Sequence, residues 1–329
     1  STIRSGGTIE ERKENTRALS GFRLDINALK GQAELVGNFE LQQEIESLQV
    51  LFTTNINREK WNLNRADSTV EVVLDSGEIT WQGGNRELHE LELELKRGTG
   101  KAMENLLMDL LFSGAGFVDP ENKARKGYRL AAGLEPISVR KETPKLRPDL
   151  AIEEGMGVIL SEIIAHARAN EPAVRCGVPE GVHQLRVALR RMRVILHMVP
   201  LGFFEHMPNG MAVSRSELKD ECKRMHVLLG GVRDADVFLL EIEAMQEQVK
   251  EKKGLSVLKN RIAEWRKQEL MRLVDSLNAP RYQGVIPKLQ LAADQAVAQW
   301  SGQHTADRDE PFLSYAVKQI RGYFNEINY

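Results

Sequence analysis

The chain has 329 residues, enough for two domains of about 100 to 200 residues that each bury a core. Lysine and arginine number 45 against 47 aspartates and glutamates, so overall charge gives no general attraction to nucleic acid or anionic membrane, and affinity for anions must come from local clustering. Two cysteines without a CxxC pair, and no run of the roughly 18 to 20 apolar residues that spans a bilayer, exclude a disulfide framework, a cysteine zinc site and a membrane helix, and fit a reducing cytoplasm.

From residue 1 to about 81 the pattern has period two and predicts strands at 51–63, 69–74 and 78–81, with turns at Asp, Ser and Gly. A strand at 88–96 follows. Residues 101–112 then carry apolar side chains at 103, 106, 107, 110 and 111, the spacing of an amphipathic helix. Sheet plus helix predicts an α+β domain over 1–133. Pro136, Pro144 and Pro148 among charged residues mark a linker over 134–150. Beyond it, helical period returns at 151–169, 181–198, 215–229, 235–248, 254–277, 289–300 and 311–326, an all-α bundle over 151–329.

In the sheet half, strand alternation puts Arg58, Lys60, Asn62 and Asn64 on one face, with Glu71 and Asp75 together on the next strand. The run His89-Glu90-Leu91-Glu92-Leu93-Glu94-Leu95-Lys96 is a charged wall backed by leucines. A solvent-facing sheet would look similar. Three neighbouring carboxylates repel one another unless cations intervene, so Arg58, Lys60 or a hard divalent metal is expected beside them.

Together, Arg58-Glu59-Lys60-Trp61, the stretch Val70 to Asp75 with Gly77-Glu78, and Glu90 to Leu95 resemble the CYTH, or triphosphate tunnel, superfamily. Thr2-Ile3-Arg4, Glu11 to Glu14, and Lys123 ahead of Gly127-Tyr128 extend the resemblance over about 130 residues. It implies part of an antiparallel barrel that hydrolyses short phosphate chains with Mg2+ or Mn2+. By this resemblance Arg4, Arg12, Arg58, Lys60 and Lys123 bind substrate, Glu14, Glu71, Asp75, Glu90, Glu92 and Glu94 hold metal or position water, and Arg58, Lys60 and Glu92 carry catalysis. The family's E-x-E-x-K strand is expected ahead of Thr2, so the first strands of the barrel are expected to be missing.

In the helical half, His183, Arg186, Arg190 and Arg193 fall within roughly 80° of one another at about 100° per residue, opposite an apolar stripe of Leu185, Ala188, Met192, Ile195 and Leu196. No acidic residue lies between Gly181 and Phe204 to relieve the repulsion. Arg215, Lys219, Lys223 and His226 occupy a similar arc on the next helix. Two such stripes facing each other make a groove for a phosphate-rich polyanion. Arg191 and Arg224 lie off the stripes and read as solvated surface.

His183-Gln184-Leu185-Arg186 with Arg190 to Arg193, followed by Leu228-Leu229-Gly230-Gly231-Val232-Arg233-Asp234-Ala235-Asp236, resembles the CHAD family of polyphosphate-binding helical bundles. Arg233 either contacts phosphate or pairs locally while Asp234 caps a helix beginning near Ala235. The resemblance implies a second histidine-arginine helix beyond Tyr329. The expected whole is thus a CYTH-CHAD protein, truncated here at both ends, whose full-length form is a metal-dependent inorganic triphosphatase or polyphosphatase fused to a polyphosphate-binding bundle. A non-enzymatic polyphosphate-binding or granule-associated protein is the alternative. Nucleic acid is disfavoured as a partner, since aromatics are 6% of residues and none interleaves the stripes. Nucleoside triphosphate, the substrate of cyclases with the same architecture, has no legible base pocket.

Overall fold

The computed structural model describes residues 49–65, 67–113, 116–119, 121–141, 144–147, 150–200, 203–204, 214–249, 253–300 and 311–327. Among them one sheet forms, from β1 (Phe52–Arg65), β2 (Ser68–Trp81) and β3 (Gly84–Arg97), antiparallel in the order β1-β2-β3. The expected turn between two short strands at 75–77 is absent, and β2 runs unbroken. Asp75 is instead a strand residue opposite Arg58 and Glu90, and Gly77 lies between Ile56 and Leu88. Cross-strand pairing on both sides overrides turn composition here. The strands expected upstream of residue 49 lie outside the described residues.

Two helices position the sheet. Helix α1 (Gly100–Phe112) buries Met103, Met108 and Leu111 and contacts both β2 and β3. Helix α2 (Lys123–Ala131), unforeseen in the periodicity, starts where the Asn122 side chain accepts a hydrogen bond from the Arg125 backbone N–H at 2.9 Å. It packs on β1 and β2, with the Phe52 and Tyr128 rings edge to face at 5.0 Å. Gly127 makes this approach possible, because a Cβ there would lie 2.1 Å from the Phe52 ring. Gly127→Ala is expected to lower sheet-domain stability by about 1–3 kcal/mol, measured by thermal unfolding.

The helical half comprises α3 (Ile152–Arg175), α4 (Pro179–Met198), α5 (Arg215–Gln248), α6 (Lys253–Asn278), α7 (Pro280–Trp300) and α8 (Phe312–Ile327). Leu160 and Ile164 of α3, Leu185, Leu189 and Met192 of α4, Leu218, Met225 and Leu229 of α5, and Tyr282 and Leu289 of α7 form one core. The apolar stripe foreseen on α4 is buried throughout. Three boundaries differ from expectation. Helix α3 continues through Pro172, and α7 starts at Pro280 and tolerates Pro287. Most consequentially, α5 runs 34 residues across Gly230-Gly231 without a break. Its capping box at Ser214 and Glu217 and its packing against α4 and α6 outweigh the glycines, each of which costs about 1 kcal/mol in a helix interior.

Val139, within the expected linker, is held against α3. Its N–H donates to Asn170 Oδ1 and its carbonyl accepts from Asn170 Nδ2, both at 2.9 Å. Helix α1 also contacts α7, and the Arg175 guanidinium stacks 3.7 Å over the Phe117 ring, so the sheet half and the bundle touch directly. No helix among the described residues is long and apolar enough to cross a membrane.

Candidate functional site

Register defines the charged face. Arg58, Asp75 and Glu90 lie opposite one another across the three strands, as do Lys60, Val73 and Glu92, and Asn62, Glu71 and Glu94. Residues directly opposite share a face, so nine positions form one patch. Arg58 Nε donates to Asp75 Oδ1 at 2.6 Å and Nη2 to Oδ2 at 2.5 Å, a bidentate fork, with Glu92 Oε2 3.4 Å from Nη2. Lys123, delivered by α2, places its ammonium 2.9 Å from Asp75, 2.9 Å from Glu90 and 2.5 Å from Glu92. One helical turn later, Lys126 pairs with Glu90 and, at 2.7 Å, with Asp119.

A second cluster lies along the same face. The register shift at Thr69/Val70 leaves Lys96 unopposed, and its ammonium lies 3.0 Å from Glu71 and 2.8 Å from Glu94. Lys60 is 3.6 Å from Glu71.

The electrostatics follow from these contacts. The Arg58 fork, aided by Lys123, holds the buried Asp75 carboxyl down at about 2 although burial opposes ionisation. Burial pushes the Lys123 ammonium down, but hydrogen bonds to Glu92, Glu90 and Asp75 outweigh it and raise its pKa. Lys96 likewise lowers the Glu71 pKa by hydrogen bonding. No group of three or more His, Cys, Asp or Glu side chains among the described residues is arranged to hold a metal ion. The basic side chains lie among the carboxylates instead. The oxygen donors nevertheless suit a hard cation, and Lys123 marks a point where three carboxylates favour positive charge.

Of the residues singled out for this face, Arg58, Lys60, Glu71, Asp75, Glu90, Glu92, Glu94 and Lys123 come together, while Arg4, Arg12 and Glu14 lie outside the described residues. Sequence reasoning missed Lys126. Its spacing of three from Lys123 behind a helix-capping Asn122 was the available signal.

On the bundle, α4 packs against α5, and a Cβ at Gly230 of α5 would lie 2.9 Å from Arg186 Nη1 of α4. Burial and then Arg186, Arg193 and Arg190 lower the pKa of His226. Among the described residues none of these three arginines forms an ion pair. Because α5 is continuous, Arg233 stands about five turns from Arg215 on the same face and extends the stripe. The same continuity overturns the capping role considered for Asp234, which sits in mid-helix. Asp236 is the buried partner in that motif, accepting from Arg266 Nε of α6, whose Nη2 donates to the Gly177 carbonyl at 2.7 Å.

At the far end of the groove, Arg215 Nη2 donates to the carbonyls of Val199 and Pro200 at 2.7 and 2.8 Å, closing the C-terminal end of α4. Lys219 donates to His197 Nδ1 at 3.1 Å. Lys223 is exposed on α5, and His183 lies on α4 near Glu180. Arg224, expected off the stripe, is occupied by Glu221.

Comparison with known proteins agrees with this division. The CYTH domain family matches residues 5–128 and the CHAD domain family residues 158–326. The inorganic triphosphatase of Haemophilus influenzae is 31% identical over 101 residues, which span 30% of this chain and 29% of that protein, so under a third of the relative's length is matched. The crystal structure of the CHAD domain from the plant Ricinus communis superposes with a TM-score of 0.43 at 24% identity, over 58% of each chain. With an antiparallel charged sheet followed by a histidine- and arginine-bearing bundle, and with family matches over both halves, the chain belongs to the CHAD family and carries a CYTH domain ahead of its CHAD domain.

Proposed function

We propose that the charged sheet face binds and hydrolyses short condensed phosphates with Mg2+ or Mn2+, and that the groove between α4 and α5 holds inorganic polyphosphate. The observation that carries the first half is the convergence of Arg58, Lys123 and Lys126 on Asp75, Glu90 and Glu92. The 31% identity to a protein named inorganic triphosphatase supports it. In this reading Arg58 and Lys123, held in place by Asp75, offer their remaining N–H groups to phosphate oxygens together with Lys60 and Lys126, and Glu71, Glu90, Glu92 and Glu94 hold the cation. When bound, the cation would neutralise developing charge on the phosphoryl group and its leaving oxygen. Asp75 has a positioning role, since it is fully buried and Arg58 and Lys123 occupy both its oxygens. Glu92 is 42% exposed, the most open of the three carboxylates around Lys123, which suits it to orient an attacking water.

The domains divide, in this reading, into 1–133 and 151–329 with a linker between them. Covalent linkage raises the concentration of phosphate chains held by the bundle near the sheet face. The reading puts the protein in the cytoplasm, with polyphosphate granules as a site of association. With tripolyphosphate and Mg2+ or Mn2+, Glu92→Ala is expected to lower phosphate release about 100-fold or more, measured by colorimetric phosphate assay. Undiminished release would remove Glu92 from the chemistry. The alternative, polyphosphate binding without turnover, draws on the cations that lie among the carboxylates. Tight binding of tripolyphosphate with no release at any divalent cation concentration would decide for it.

A further inference from the structure

Within the groove, His226 differs from its neighbours. Its Nδ1 is buried and has no hydrogen-bond partner among the described residues. Buried polar atoms are nearly always paired, so an orphan nitrogen marks a place left for a partner that the protein does not supply. One turn along α5, Gly230 lies against the Arg186 guanidinium of α4, where a Cβ would be 2.9 Å from Nη1, and the imidazole feels the charges of Arg186, Arg193 and Arg190. On its own helix the nearby charges are Lys223, one turn away and exposed, and Arg224, occupied by Glu221. From α6, Glu269 lies against Gly231 and pairs with Arg272. Among the described residues, the charges that act on the imidazole are the three arginine cations of α4.

We propose that His226 is the proton-linked member of the polyanion groove, taking up a proton when a phosphate chain seats between α4 and α5. This rests on the reading of the groove as a polyphosphate site. In the free protein, burial and then the three arginines hold the imidazole below its ordinary pKa of 6.5, so it is neutral near pH 7. A phosphate chain lying along Arg186, Arg190 and Arg193 cancels the repulsion and supplies an acceptor, which favours the imidazolium. The proton comes from solvent, and no covalent bond changes.

Linkage fixes the sign. A group whose bound-state pKa exceeds its free-state pKa strengthens binding as pH falls through the window between the two, and by reciprocity binding draws a proton in. One proton corresponds to an affinity loss of about tenfold per pH unit at the steepest point as pH rises. A long polyphosphate is the suitable probe, because only its few terminal groups titrate in that window while its internal charges stay fixed.

The experiment is calorimetric titration of long-chain inorganic polyphosphate into the full chain at fixed ionic strength, over about pH 5 to 8, in two buffers of different ionisation enthalpy. Ring signals of His226 are followed by NMR with and without polyphosphate. Expected are net proton uptake, a His226 titration that moves to higher pH on binding, and, in His226→Gln, weaker binding whose proton uptake and pH dependence are both lost. Because the NMR arm uses the unsubstituted chain, the test does not depend on the variant folding. Binding without proton uptake, or a His226 titration that polyphosphate does not move, overturns the proposal and leaves the groove reading intact. Absence of binding at every pH overturns both.

Discussion

Asp75→Ala is expected to give the largest loss from a single change in the sheet half, about 2–3 kcal/mol in thermal unfolding together with near-complete loss of phosphate release. Its side chain is fully buried, and removing it leaves Arg58 and Lys123 without the partner that sets their positions. Breaking a buried pair from one side costs about 3–5 kcal/mol, and the 40% exposure of Arg58 reduces this through solvent screening. The pH dependence runs the same way. With its folded pKa held at about 2 against an ordinary 3.8, Asp75 contributes its full stabilisation above about pH 4 and loses it as pH falls through about 2. Asp75→Ala should therefore flatten the acid limb of the stability curve, and an unchanged limb would place the acid sensitivity elsewhere.

The second large effect concerns the bundle. Arg190→Gln is expected to weaken polyphosphate binding about tenfold, and Arg186, Arg190 and Arg193 changed together to Gln by at least about a hundredfold, since each charge-assisted contact contributes about 1.5–3 kcal/mol and neighbours are not additive. The salt dependence should also become shallower by about one unit per arginine, because fewer counterions are exchanged. Thermal stability should not fall. These guanidiniums make no ion pairs among the described residues, so their replacement breaks none. Lost affinity accompanied by a lower melting temperature would mean that the arginines hold the bundle together.

What was legible in the sequence depended on how local each signal was. The alternation Glu90 to Leu95 placed three carboxylates on one face, and the i, i+3, i+7, i+10 spacing from His183 to Arg193 placed the basic stripe opposite the core. Both patterns need nothing beyond their own segment. Asp75-Ser76-Gly77 was misread because its strand character comes from Arg58 on one side and Glu90 on the other, contacts no window contains. Gly230-Gly231 looked like a break for the same reason, since packing of α5 between α4 and α6 decides the outcome. Helix α2 was lost because nine residues with four cations carry little apolar signal, yet it delivers Lys123 and Lys126 to the carboxylates. The approach of the two stripes depends on how α4 packs against α5, which brings Arg186 beside Gly230 and which neither segment encodes alone.

The division of labour between sheet and bundle is tested most directly by phosphate release from tripolyphosphate and from long-chain polyphosphate, each below saturation with Mg2+ or Mn2+. The unsubstituted chain is compared with the Arg186, Arg190 and Arg193 triple variant. The account predicts unchanged release from tripolyphosphate and about tenfold or greater slowing with the long chain, because in this account only the long chain is held by the groove while it is cut at the sheet face. Equal slowing on both substrates, or no slowing on either, would contradict it.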